Sequence, residues 1–189
     1  MTYYLFITSV IFLLLVFFLD NIIQYKYFGR YILPPQYWDG LKIVPLVLLS
    51  YILSGIGTNL NAGIQIEKKT KYLFPTSLAG SLTKILLTFL LVPTMGIFGA
   101  ALATLIGYFV VEATLYPIVQ RFYRIDYEWG RIGKLVLAVV IAYGIVSVFD
   151  LNVVYKMGLF VLWSGSLFAV RFFSAGELKR VKDIFRNTA

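Results

Sequence analysis

The basic cluster Lys68-Lys69-Thr70-Lys71, the apolar run 72–92, the break Pro93-Thr94-Met95-Gly96 and a second apolar run 97–111 decide the fold. Each run approaches the roughly 20 apolar residues needed to cross a hydrocarbon core about 30 Å thick. Pro93 and Gly96 supply the stop and the turn between them. The pattern predicts two membrane-spanning helices folded back to back, with the lysine cluster at their cytoplasmic entrance. Lys84 sits inside the first helix, where a charge is costly, and an ionisable residue at that depth points to function.

Composition carries the same message across the chain. The 189 residues are 60% hydrophobic, 17% aromatic and only 14% charged, whereas soluble domains carry about 25% charged residues. The expected class is an all-α membrane protein with about six transmembrane helices. A formal charge of +8 could suggest nucleic acid, but the bases lie in short segments between apolar runs, where the positive-inside rule accounts for them. With no Cys and no His, disulfides, thiolate chemistry, His-based metal sites and a Ser-His-Asp triad are excluded.

Outward from the hairpin, the first span is expected at about 3–23, interrupted late by Asp20-Asn21. A secretory signal peptide would need a basic stretch before the run and a small-residue cleavage site after it, and the sequence shows neither. A polar, aromatic connector with Gly29, Pro34-Pro35, Tyr37, Trp38 and Gly40 suits the lipid–water interface. The second span, 43–66, contains Pro45, Gly55, Gly57, Asn59, Asn61 and Gly63 and is expected to bend or break. Ser54, Thr58, Asn61 and Gln65 share one of its faces, as Ser77, Ser81, Lys84 and Thr88 share one face of the third span, 72–92. Interhelical hydrogen bonding between small polar residues would explain two such stripes. Lys84 argues for a wet cavity, because a cation needs a partner or water.

The fourth span, 97–119, carries Gly99, Ala103 and Gly107 on a close-packing face. Glu112 lies about 24 Å along this helix from the turn, and Lys84 about 13 Å from the same turn. A direct ion pair between them would be strained. Glu112 is therefore expected near the cytoplasmic boundary, facing Lys69 or Lys71. The segment 120–131 reads as an interfacial loop. Spans at about 132–149 and 153–173 follow, and then a cytoplasmic amphipathic tail, 174–189, with Leu178, Val181 and Phe185 on one face.

An even number of spans puts both termini on one side. Lys68, Lys69, Lys71, Arg121, Arg124, Arg131, Lys134, Arg171, Lys179, Arg180, Lys182 and Arg186 fall on that side, against Lys26, Arg30, Lys42 and Lys156 on the other. This bias places both termini in the cytoplasm.

The order of several features resembles a known family. They are the approach Tyr37-Trp38-Asp39-Gly40-Leu41-Lys42, the string Asn59-Leu60-Asn61-Ala62-Gly63, the 68–71 loop, Val92-Pro93, and Gly96-Ile97-Phe98-Gly99-Ala100-Ala101-Leu102-Ala103-Thr104. Together they look like the C-terminal part of the bacterial polysaccharide (O-antigen, exopolysaccharide) flippases, whose superfamily also holds peptidoglycan lipid flippases and multidrug extruders. The resemblance covers about residues 30–130. It implies two six-helix lobes around a central cavity, with two extra helices at the C-terminus. This chain would then be the C-terminal part, either a fragment of a longer chain or a split product needing an N-terminal lobe from a partner.

The implied activity is transfer of an undecaprenyl-pyrophosphate-linked oligosaccharide from the inner to the outer leaflet of the bacterial cytoplasmic membrane by alternating access. It needs no enzyme chemistry and no cofactor or metal, and the partners are the lipid-linked sugar and membrane lipid. Lys84, Ser77, Ser81, Thr88, Asn61, Thr58 and Ser54 are the cavity candidates, while Lys68, Lys69, Lys71 and Glu112 are the cytoplasmic-gate candidates. The family often shows Asn where Lys84 and Thr88 stand. A drug or cation antiporter of the same superfamily and a non-transporting membrane subunit are the alternatives. A membrane-bound transferase is disfavoured, because no loop carries a clustered acid, base and metal-ligand set.

Overall fold

Long apolar runs without internal breaks satisfy every backbone group within the helix itself, which makes the helix the element of choice in lipid. The computed structural model describes residues 1–27, 30–123, 127–149 and 152–169, and nearly all of them are helical. Helix α1 spans Thr2–Gln24. It ends at Tyr25 in extended backbone and is followed by a minimal antiparallel pair, β1 Lys26–Tyr27 and β2 Arg30–Tyr31, in register Lys26↔Tyr31. A 3-10 helix, Pro35–Ile43, leads into α2, Val44–Ile66. The Trp38 indole N–H donates to the Leu33 carbonyl at 3.0 Å, and its ring stands edge-on to Tyr31 at 5.4 Å.

The expected softness of the second span is not what the structure has. Helix α2 is continuous throughout Val44–Ile66. Pro45 falls in its first turn, where no N–H is required, and the interior glycines are filled by neighbouring side chains. Tyr4 lies against Gly55, Glu112 against Gly57, and Val119 and Tyr123 against Gly63. The helix closes in a Schellman turn, with Lys68 left-handed at φ 52. The Lys69 N–H donates to the Ile64 carbonyl at 3.0 Å and the Lys68 N–H to the Gln65 carbonyl at 3.0 Å.

A single 3-10 turn, Thr70–Tyr72, then opens α3, Leu73–Phe122, which folds back on itself at Gly96. Gly96 takes φ 56, ψ −135, a conformation that only glycine adopts readily. Pro93 stays inside the helix, so Gly96 alone makes the reversal. The first arm, 73–95, and the second, 97–122, run antiparallel with backbones close together. A Cβ at Gly107 would lie 2.8 Å from that of Lys84, and one at Gly80 would lie 2.7 Å from the Gly107 carbonyl oxygen. Gly99, Ala103 and Gly107 are all buried, as close approach requires.

Helix α4, Trp129–Val148, and α5, Val153–Ala169, complete the described residues. Leu5, Phe12, Leu13 and Phe17 of α1 form one core with Leu135 and Ala142 of α4 and Trp163 of α5. Leu60 and Ile64 of α2 form a second with Leu115 and Val119 of the second arm. The side of the first arm away from its partner is lined by exposed Phe74, Leu78, Leu82, Ile85, Leu86, Phe89 and Leu90. Among the described residues, four segments are long and apolar enough to cross a membrane: Thr2–Ile23, Pro35–Ile66, Thr70–Phe122 and Trp129–Val148. Helix α5 shows 17 residues. The end of the sixth expected span and the tail 174–189 lie outside the described residues.

Candidate functional site

Near the Gly96 end of the hairpin, Lys84 lines a cleft of about 330 Å³ between α2 and both arms of α3. The stem of Lys84 lies against the bare backbone of Gly107, which a larger residue would block. The end of the 3-10 helix contributes Ile43, helix α2 contributes Val47, Ser50 and Tyr51, and the second arm contributes Ile97, Ala100, Ala101, Thr104 and Tyr108. The hydroxyl of Ser50 donates to the Leu46 carbonyl at 2.8 Å and that of Thr104 to the Ala100 carbonyl at 3.0 Å. These bonds occupy the hydroxyl protons, and the oxygens keep lone pairs free. The Lys84 ammonium makes no ion pair among the described residues, so its three N–H donors are free for a ligand. The cleft therefore combines one positive charge, phenol groups and apolar walls.

The polar stripe of α2 does not reach this cleft. Ser50 and Tyr51 line it, whereas Ser54, Thr58 and Asn61 lie further along the helix towards Ile66. Thr58 donates back to the Ser54 carbonyl at 3.2 Å and Thr88 to the Lys84 carbonyl at 2.7 Å. Ser77 and Ser81 lie at exposed positions of the first arm. The two stripe threonines thus spend their hydroxyls on their own helices, as Thr76, Thr83 and Thr114 also do. Ser50, Tyr51 and Tyr108 escape a reading of the sequence. What joins them to Lys84 is the register between helices, which no single helix's periodicity contains.

The opposite end of the hairpin is aromatic and basic. The ammonium of Lys69 lies 5.5 Å from the ring centre of Phe122 and that of Lys71 5.3 Å from that of Tyr72, while the Tyr72 and Phe122 rings are 5.2 Å apart. Cations held on aromatic faces at the base of two apolar helices suit a membrane interface. Tyr116, Tyr127 and Trp129 stack nearby at 5.8–5.9 Å. Burial, and secondarily the neighbouring Tyr116, raises the pKa of Tyr127, and its hydroxyl has no hydrogen-bond partner among the described residues. At the same end, the Thr2 hydroxyl donates to Glu128 Oε2 at 3.0 Å, and Arg131 pairs with Glu128 at 3.1 Å.

Glu112 is not beside Lys69 or Lys71. Its carboxylate is turned onto α2 at Gly57, one helical turn inward of Tyr116, and only 8% of the residue is exposed. Measured along the second arm, it stands about 7.5 Å from the level of Lys84, and the two form no ion pair. No protein-family model matches the chain, and no curated protein or solved structure does either.

Proposed function

We propose that the chain is the C-terminal part of a flippase that carries lipid-linked oligosaccharides across the bacterial cytoplasmic membrane by alternating access. The observation that carries this reading is Lys84 in its cleft. A lysine at this depth costs about 2.5–3.5 kcal/mol on insertion scales, and a water-filled path with an anionic ligand offsets that cost. The pyrophosphate of an undecaprenyl-linked sugar fits the ammonium, the sugars fit the phenols and hydroxyl oxygens, and the apolar outer faces admit the lipid tail. Nothing in this transfer makes or breaks a covalent bond. In this reading the hairpin arms count as two spans and α5 is the sixth. The 68–71 end and both termini face the cytoplasm, and a second lobe, from a longer chain or a partner, closes the pathway.

Lys84→Met and Lys84→Ala, in a transporter completed with its second lobe, should insert at wild-type level and lose transport by about tenfold or more, the scale of one charge-assisted hydrogen bond. Lys84→Arg should retain part of it. Export of lipid-linked sugar per unit of membrane-inserted protein is the measurement, and full export by the Met variant would overturn the reading.

A further inference from the structure

Among the described acidic residues, Asp20, Asp39, Glu67 and Glu128 occupy exposed positions and Glu112 alone is buried. Its Oε2 atom is enclosed and has no hydrogen-bond partner among the described residues. The carboxylate fills the space that a side chain at position 57 would take, so α2 meets it with bare backbone rather than with a donor.

The groups on the surrounding elements do not supply a counter-charge. From α2 the carboxylate meets Gly57, which carries no side chain; Leu60 of the same helix belongs to the core with Leu115, and Thr76 and Gly80 are buried on the first arm. The Thr76 hydroxyl already donates to the carbonyls of Tyr72 and Leu73. Tyr4 reaches α2 from α1, and its hydroxyl donates to the Ile52 carbonyl at 3.3 Å. On the second arm itself, Tyr108 lines the Lys84 cleft and Tyr116 belongs to the aromatic stack. Lys69 lies on Phe122.

An ionised carboxylate without a partner is among the costliest groups to keep in a helix interface. A bound cation removes that cost. A metal ion would need further ligands, and no cluster of three acidic, His or Cys side chains occurs among the described residues. We propose that Glu112 is a proton-binding site, which takes up and releases one proton where α2 meets the second arm of α3. The site is separate from the Lys84 cleft and stands whether or not the chain moves lipid-linked sugars.

Dicyclohexylcarbodiimide, which modifies protonated carboxyls in apolar surroundings, tests this on the full chain in lipid vesicles, with peptide mass spectrometry as the readout. Glu112 should be modified at mildly acidic pH, and modification should fall by about tenfold per pH unit once the group ionises. Replacing choline chloride with sodium chloride at constant pH should change nothing, and Glu112→Gln should abolish labelling of that peptide. The proposal is overturned if Glu112 stays unmodified at every pH at which the chain is folded. Equal modification of Glu67 and Glu128, or protection of Glu112 by sodium, which would assign a metal-ion site instead, overturns it as well.

Discussion

Gly57 stands where any side chain would run into the Glu112 carboxylate, so the two residues are energetically one unit. Gly57→Ala should destabilise the chain by about 1–3 kcal/mol, the usual cost of overfilling a packed interface. Glu112→Ala in the same chain should return part of that loss, because it empties the space the new methyl needs. Thermal unfolding of the two single variants and the double variant in detergent measures the coupling, and strictly additive losses would show that the residues do not touch. A lysine inside an apolar run is legible in a sequence, and Lys84 is found that way. The burial of Glu112 is not, because counting residues from a turn gives its depth but not which neighbour it faces. Facing α2, it meets a glycine and no lysine.

The hairpin of α3 was legible as an element, since two long apolar runs around Pro93 and Gly96 leave few alternatives. The continuity of α2 was not. Its glycines read as weak points in isolation, and they become close-packing points only once Tyr4, Glu112, Val119 and Tyr123 arrive from other elements. The fold-back has a direct test, because the chain contains no cysteine. A Cβ at position 80 would lie 3.4 Å from that of Val111, close to the spacing that a disulfide spans. Gly80→Cys combined with Val111→Cys should therefore cross-link under mild oxidation and shift mobility in a denaturing gel, the arms easing apart slightly to relieve the 2.7 Å approach of the new Cβ to the Gly107 carbonyl oxygen. A straight helix would hold these positions more than 40 Å apart, at about 1.5 Å per residue, and would give no cross-link within one chain.

Across the whole molecule the elements sort into two ends. Thr2, the 68–72 turn, Phe122 and Glu128 lie at one, and Tyr25, the segment 31–43, Gly96 and Asn152 lie at the other. Lys156 donates to Asn21 Oδ1 at 3.2 Å and ties α5 to the end of α1 there. Of cysteines placed singly at Lys69 and at Tyr37, a membrane-impermeant maleimide should therefore label one in intact cells and the other only in opened cells; in the orientation proposed above, Tyr37→Cys is the one labelled in intact cells. Reaction of both from the same face would break the topology.

The parallel pairing of α2 with the second arm also sets a timetable for synthesis. Glu112 meets Gly57 and Val119 meets Gly63, so the partner of α2 is not the helix that emerges next but the one after it. The ribosome must add the 50 residues of α3 before most of that partner exists, which takes about 3–10 s at ordinary elongation rates. Throughout that interval the notches at Gly57 and Gly63 lack the side chains that fill them, while Tyr4 of α1 already lies against Gly55. Premature termination within the second arm would leave α2 fully synthesised and permanently unmated, a state for membrane quality control to recognise.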